Sequence, residues 1–301
     1  MTLEKAYYES CFERDYATKK ATEFQDFFAE IMEKRYPADF VRIRPWGSSG
    51  DRKNDGYLRS KRMLFQVYAP NEMTAAQAIA KIDEDFRVAL PHWRSYFDTW
   101  VFVHNSRQGL APQILKKLRD LRSEFLGQVN LIHWGFEELK SEVFSLDIDG
   151  MSSLFGLALT DRDIQEIGFE DIRVLLARIG GTETSMDIDV RPVPGEKLSF
   201  NALGPDVETL LRAGMRKSTN VEKFLAQWHD PGLGDRMAKT FENQYRSLRD
   251  TGMSPDDVFR GLQEFAGGRK RGTPRHEAAV LAVLAYLFER CDIFERPQVG
   301  G

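Results

Sequence analysis

Gly50-Asp51-Arg52-Lys53-Asn54-Asp55-Gly56-Tyr57, followed shortly by Phe65-Gln66-Val67-Tyr68, decides how the first half of the chain reads. Residues 45–53 carry Pro45, Gly47, Ser48, Ser49 and Gly50, and such breakers mark a loop. Asp55 opens a strand that continues through Gly56, Tyr57 and Leu58. Residues 63–67 form a compact apolar run of strand length, the pattern of a central strand buried on both faces. Gln66 interrupts that run, and a buried amide needs several hydrogen-bond partners.

Outward from this pair, strands and helices alternate. Phe24, Phe27, Phe28 and Ile31 share one helical face over residues 22–36, and Pro37 follows as a stop. Phe40-Val41-Arg42-Ile43-Arg44 alternates as a strand. After Pro70, a helix is expected from about Thr74 to Leu90, then a strand over residues 99–103 that ends at His104-Asn105. A helix from about Pro112 to Phe125 and a strand over residues 129–133 complete the series. Alternation of this kind predicts a mixed sheet with helices on both faces.

Beyond Asp147 the pattern changes. Residues 161–179 are helical in period and end at Gly180-Gly181; residues 182–195 are polar, with Pro192, Pro194 and Gly195, and read as a linker or loose ribbon. From Pro205 onward, helices are expected at 205–214, 219–228, 233–250, 254–266 and 274–290. The last is apolar nearly all round, which places it at the centre of a small bundle.

Length and composition agree with a soluble chain of two domains: 301 residues, 42% hydrophobic and 29% charged. No apolar run reaches the roughly 20 residues needed to span a bilayer, and the mixed-charge N-terminus lacks the apolar stretch of a signal peptide. Cys11 and Cys291 cannot build a disulfide framework or a four-thiolate zinc site, so the cytoplasm is the expected location. A net charge of −4 counts against nucleic-acid binding by the molecule as a whole. Locally the balance reverses: residues 42–62 hold seven basic side chains against Asp51 and Asp55. That segment is a surface for a phosphate backbone or an ordinary solvated hairpin.

Hydrolysing a phosphodiester with a divalent ion needs oxygen ligands at converging strand ends and a cation near the attacked phosphate. Asp55 after the glycine-rich loop and Gln66 on the next strand supply such oxygens, and position 68 shares the face of Gln66. At these residues the chain resembles the Mrr-like branch of the PD-(D/E)xK nuclease superfamily, which reads Gly-Asp-x-Gly-x-Asp and then Gln-x-Lys. Phe65-Gln66-Val67-Tyr68-Ala69-Pro70, followed by Lys81-Ile82 and Asp85-Phe86, more specifically resembles nuclease-type proteins of bacterial ABC three-component conflict systems. The C-terminal segment 285–295 resembles the tail module of the same group.

The resemblance implies a restriction-endonuclease-like α/β domain at residues 1–148, a helix and linker at 149–200, and an all-helical interaction domain at 201–301. It implies a Mg²⁺- or Mn²⁺-dependent endonuclease effector of antiphage defence, acting on DNA sooner than RNA. An SMC-like ABC ATPase and a third defence component are the implied partners, and a homo-oligomer is compatible with the pattern. Asp55, Gln66 and Glu23 are the implied metal ligands, with Gln25 the alternative on the helix. Tyr68 stands where the pattern has lysine, so Lys81 on the following helix, or Lys53 in the loop, is the replacement to look for. If neither serves, a non-catalytic adaptor that binds nucleic acid or the ATPase remains. Residue by residue, Asp55-Gly56 is also a common turn pair, Gln66 a core amide, Lys81 an exposed helix residue, and His104-Asn105 a turn closure.

Overall fold

The central strand of the sheet is the one that carries Gln66. In the computed structural model of the chain, residues 1–43, 54–179, 197–268, 272–290 and 292–295 are described. The loop at 45–53, with Asp51 and Lys53, and the ribbon at 182–195 lie outside them. Two compact units result: Asp15–Leu154, which holds the sheet, and Met1–Arg14 together with Phe155–Gly301, which is helical. Helix α1 (Leu3–Thr18) contributes residues to both.

The α/β unit continues with α2 (Ala21–Arg35), β1 (Phe40–Arg42), β2 (Gly56–Leu58) and β3 (Met63–Tyr68). Then come α3 (Ala75–Trp93), β4 (Thr99–His104), α4 (Pro112–Glu124), β5 (Asn130–Trp134), α5 (Phe136–Val143) and α6 (Ile148–Phe155). The strands lie across the sheet in chain order, β1-β2-β3-β4-β5. β1–β2 and β2–β3 are antiparallel, β3–β4 and β4–β5 parallel, so the direction changes at β3.

Helices cover both faces, as the alternating pattern predicts. On one face Phe65 packs against Phe28 of α2 and against Trp134, with ring centroids 5.3 and 5.1 Å apart. On the other, Leu64, Trp100, Phe102 and Leu131 meet Ala78, Ile82 and Phe86 of α3 and Ile114, Leu118 and Leu121 of α4. Each fully buried large side chain of this kind contributes roughly 1.5–3 kcal/mol. Because strand side chains alternate, Gln66 and Tyr68 share the α3/α4 face with Leu64. Thr74 caps α3, its Oγ1 accepting the Gln77 N–H at 3.3 Å. The helix runs past the expected stop at Leu90 through Pro91, which has no N–H to donate to the preceding turn; the Arg94 N–H still donates to the Leu90 carbonyl at 3.0 Å.

The helical unit contains α7 (Asp161–Glu166), α8 (Phe169–Ile179), α9 (Lys197–Phe200), α10 (Pro205–Met215), α11 (Ser218–Gln227), α12 (Leu233–Asp250), α13 (Pro255–Gly267) and α14 (Pro274–Glu289). The helices expected from Pro205 onward are all present. The single helix expected at 161–179 is instead α7 and α8. Ile167 takes an extended ψ of 124°, and the Asp171 carboxylate accepts the Gly168 N–H at 2.9 Å, which starts a new helix. Residues 278–288 of α14 are buried without exception, among α7, α8, α10, α11 and α13. No helix among the described residues is long and apolar enough to cross a membrane.

Candidate functional site

Asp55 sits at an irregularity where β2 meets β3. Its N–H donates to the Phe65 carbonyl at 2.8 Å, although Gly56 is the residue paired with Phe65, so two residues of one strand face one of the other. Such a bulge re-aims a side chain. Here the Asp55 Oδ2 accepts the Val67 N–H at 2.7 Å, next to Gln66 in the chain. Gly56 is strand and not turn. A Cβ there would lie 2.3 Å from Cζ of Phe40, whose ring packs against Phe65. The Asp-Gly pair therefore reflects a close ring approach.

Gln66 is 5% exposed, and no described donor reaches its Oε1. Leaving a buried acceptor unmade costs about 1–3 kcal/mol. Amide and carboxylate oxygens are the donors a hard cation takes. Among the described residues, no group of three or more His, Cys, Asp or Glu could hold a metal ion. Mg²⁺ typically takes one or two carboxylates and completes its shell with water and substrate phosphates. Asp55 and Gln66 thus fit an ion shared with a phosphate-bearing substrate, and they do not form a closed cage.

Glu23 is exposed on the first turn of α2, and Gln25 is half-buried. That end of α2 is tied to β3: the Ala21 N–H donates to the carbonyl of Ala69 at 2.6 Å. The structure so brings the helix start to the end of the Gln66 strand. Lys81 is otherwise engaged. Its Nζ lies 3.0 Å from Oδ1 of Asp85, which is wholly buried. Tyr68 is half-buried, with its ring 6.0 Å from that of Phe102. Of the basic hairpin, Arg42 pairs with Asp26 and Arg62 with Asp98, while Lys61 stands over the Tyr36 ring.

Lys20 precedes Ala21 at the start of α2. It occupies the N-cap of α2 in extended conformation and is half-buried. Among the described residues its side chain has no hydrogen bond or ion pair, and burial pushes its ammonium below the ordinary value. Ser, Thr, Asp and Asn favour an N-cap, and a cation there opposes the helix dipole.

His104 closes β4 in register with Tyr68 and is 1% exposed. Its Nδ1 accepts the Ser106 N–H at 3.3 Å, its carbonyl accepts the Tyr16 hydroxyl at 2.8 Å, and its ring lies 5.5 Å from that of His133. Gly135 makes room, since a Cβ there would meet the His104 Cε1 at 2.7 Å. Burial, then the neighbouring His133, lowers the imidazole from 6.5 to about 4 against a small opposing effect of Glu138. The unfolded chain therefore takes up this proton first as pH falls. The contribution to stability is complete above about pH 6.5 and is lost towards about pH 4, a change of about 3 kcal/mol at most. In urea titrations the unfolding midpoint should fall between about pH 7 and pH 5, and less so in His104→Gln. Equal slopes in the two proteins would contradict this.

Residues 170–295 match the family model described as C-terminal domain 10 of the ABC-three component (ABC-3C) systems, which supports membership of those systems. The matched stretch begins in α8 and passes beyond α14, outside the sheet. No curated protein and no solved structure matches the chain.

Proposed function

We propose, taking the chain as a component of an ABC-three component system, that its α/β unit is a divalent-metal-dependent endonuclease effector of cytoplasmic antiphage defence, acting on DNA. The observation that carries this is the buried Oε1 of Gln66, which has no hydrogen-bond partner among the described residues, one residue before the Val67 N–H that anchors the carboxylate of Asp55. Asp55, Gln66 and Glu23 would hold Mg²⁺ or Mn²⁺, with Gln25 the alternative to Glu23. When bound, that ion polarises the phosphate and lowers the pKa of its water. Asp55 is held in place by the Val67 N–H, so little reorganisation accompanies binding. Gln66 adds an oxygen without adding charge. Lys81 and Lys53 are the cations that the sequence pattern offers, the first of them in an ion pair with Asp85. The helical unit docks the partners that control cleavage, an SMC-like ATPase and a third component.

Supercoiled plasmid incubated with the chain and Mn²⁺ tests this. Asp55→Asn should slow cleavage on the order of 100-fold, with Gln66→Leu similarly impaired. An equal rate in Asp55→Asn would remove the metal site.

A second reading, a non-catalytic adaptor that holds nucleic acid or the ATPase, is favoured by two observations. Tyr68 is packed on Phe102, and Lys81 is committed to Asp85. If Asp55→Ala leaves both protection in cells and binding unchanged, the adaptor is correct.

A further inference from the structure

A carboxylate that is to hold an ion serves best when the fold has already fixed it. Asp55 is fixed from both sides. Its N–H donates to the Phe65 carbonyl at 2.8 Å, its own carbonyl accepts the Ile43 N–H at 3.1 Å, and its Oδ2 accepts the Val67 N–H at 2.7 Å. Asp55 therefore sits between the end of β1 and β3, and its place depends on how closely β1, β2 and β3 approach one another.

Phe40 and Gly56 set that approach. Phe40 lies opposite Leu58 in the register, so Gly56 is its diagonal neighbour, a position that an aromatic ring can reach. A Cβ on Gly56 would run into the rim of the ring, meeting Cζ, Cε2 at 2.6 Å and Cε1 at 3.5 Å. An aromatic ring laid over a strand glycine closes the gap that the missing side chain leaves. The ring is itself held from beneath. Its centroid is 6.0 Å from that of Phe28 on α2 and 6.1 Å from that of Phe65, and the residue is buried. Phe65 is also the residue whose carbonyl accepts the Asp55 N–H, so the aromatic stack and the bulge share one position of β3.

We propose that Phe40 and Gly56 are a positioning pair for Asp55: the ring seated on the glycine holds β1 and β2 at the separation that turns the carboxylate onto the Val67 N–H. Both act through Asp55, as positioning residues. The catalytic part of the inference rests on the nuclease reading above; the geometric part stands apart from it.

The full-length chain is compared with Gly56→Ala, Phe40→Leu and the double variant in two assays. Leucine lacks Cε1, Cε2 and Cζ, so in the double variant the alanine methyl takes the room that the ring vacates. One assay is nicking of supercoiled plasmid with Mn²⁺. The other is amide hydrogen exchange, read at Val67 and, as a reference, at Val101 of β4. Each single variant should nick about 10-fold more slowly and exchange the Val67 amide about 10-fold faster, with Val101 unchanged. The double variant should return both to within about threefold of the parent chain, the sign of direct coupling. Val67 exchange unchanged in both single variants overturns the proposal, as does a double variant impaired by the product of the two single effects. Val67 and Val101 accelerating together also overturn it, because that is loss of stability alone. If Gly56→Ala does not fold, Phe40→Leu against the double variant decides, and the double must lie nearer the parent. A parent chain that does not nick ends the nuclease reading and leaves the exchange assay to decide the geometry. If the parent nicks, and the single variants nick equally well despite faster Val67 exchange, the positioning role falls while the nuclease reading stands.

Discussion

Arg260→Met is expected to destabilise the helical unit by about 3–5 kcal/mol. Arg260, on α13, is 3% exposed and lies 2.7 Å from Glu13 of α1, 2.8 Å from Asp206 of α10 and 3.1 Å from Asp257. Glu13 and Asp206 are themselves buried. One guanidinium thus balances carboxylates on separate helices, and its planar fork reaches them together. Methionine fills most of the volume but removes the guanidinium that the buried carboxylates share, the costly way to break such a network. Urea unfolding of the variant measures the loss. A difference below about 1 kcal/mol would mean that water reaches these carboxylates.

Gly214→Ala is expected to cost about 1–3 kcal/mol, although alanine is the better helix former by about 1 kcal/mol. A Cβ at Gly214 would lie 2.3 Å from the Leu281 carbonyl oxygen and 3.0 Å from Cβ of Ala285. The obstacle is backbone, which cannot rotate aside, so α10 and α14 must separate along a buried seam. Gly234→Ala is the control. The nearest atom to its Cβ would be Cδ1 of Leu225 at 3.6 Å, an ordinary contact, so that variant should be neutral or slightly stabilised. Equal stabilities for the two variants would show that the α10–α14 approach is looser than described.

The helices from Pro205 onward were legible because their ends are marked by residue chemistry. Pro205, Pro255 and Pro274 stand in first turns, and Ser254 and Thr273 cap α13 and α14. α1 was not read as a helix, and its mixed faces explain why. Polar Ser10 and Glu13 are buried among Ala6, Tyr7, Tyr8, Cys11, Phe12 and Tyr16, which blurs the separation of polar from apolar positions that sets a helical period. The break between α7 and α8 is likewise silent in the pattern, since it turns on Asp171 reaching back to Gly168.

At the candidate site, Asp55 and Gln66 were visible as polar residues at strand positions. The bulge that turns Asp55 onto Val67 was not, because it depends on the register of β2 against β3. The spacing of Lys81 and Asp85 was visible too. What the sequence could not show is that Asp85 is wholly buried, which ties Lys81 to it.

The most direct measurement is cleavage of supercoiled plasmid in Mn²⁺ by the purified chain, alone and with the products of its neighbouring genes, beside Asp55→Asn. A metal-dependent endonuclease gives nicked and then linear DNA with the parent chain and little or none with Asp55→Asn. Plasmid left supercoiled under every condition, or cut equally by both proteins, would contradict it.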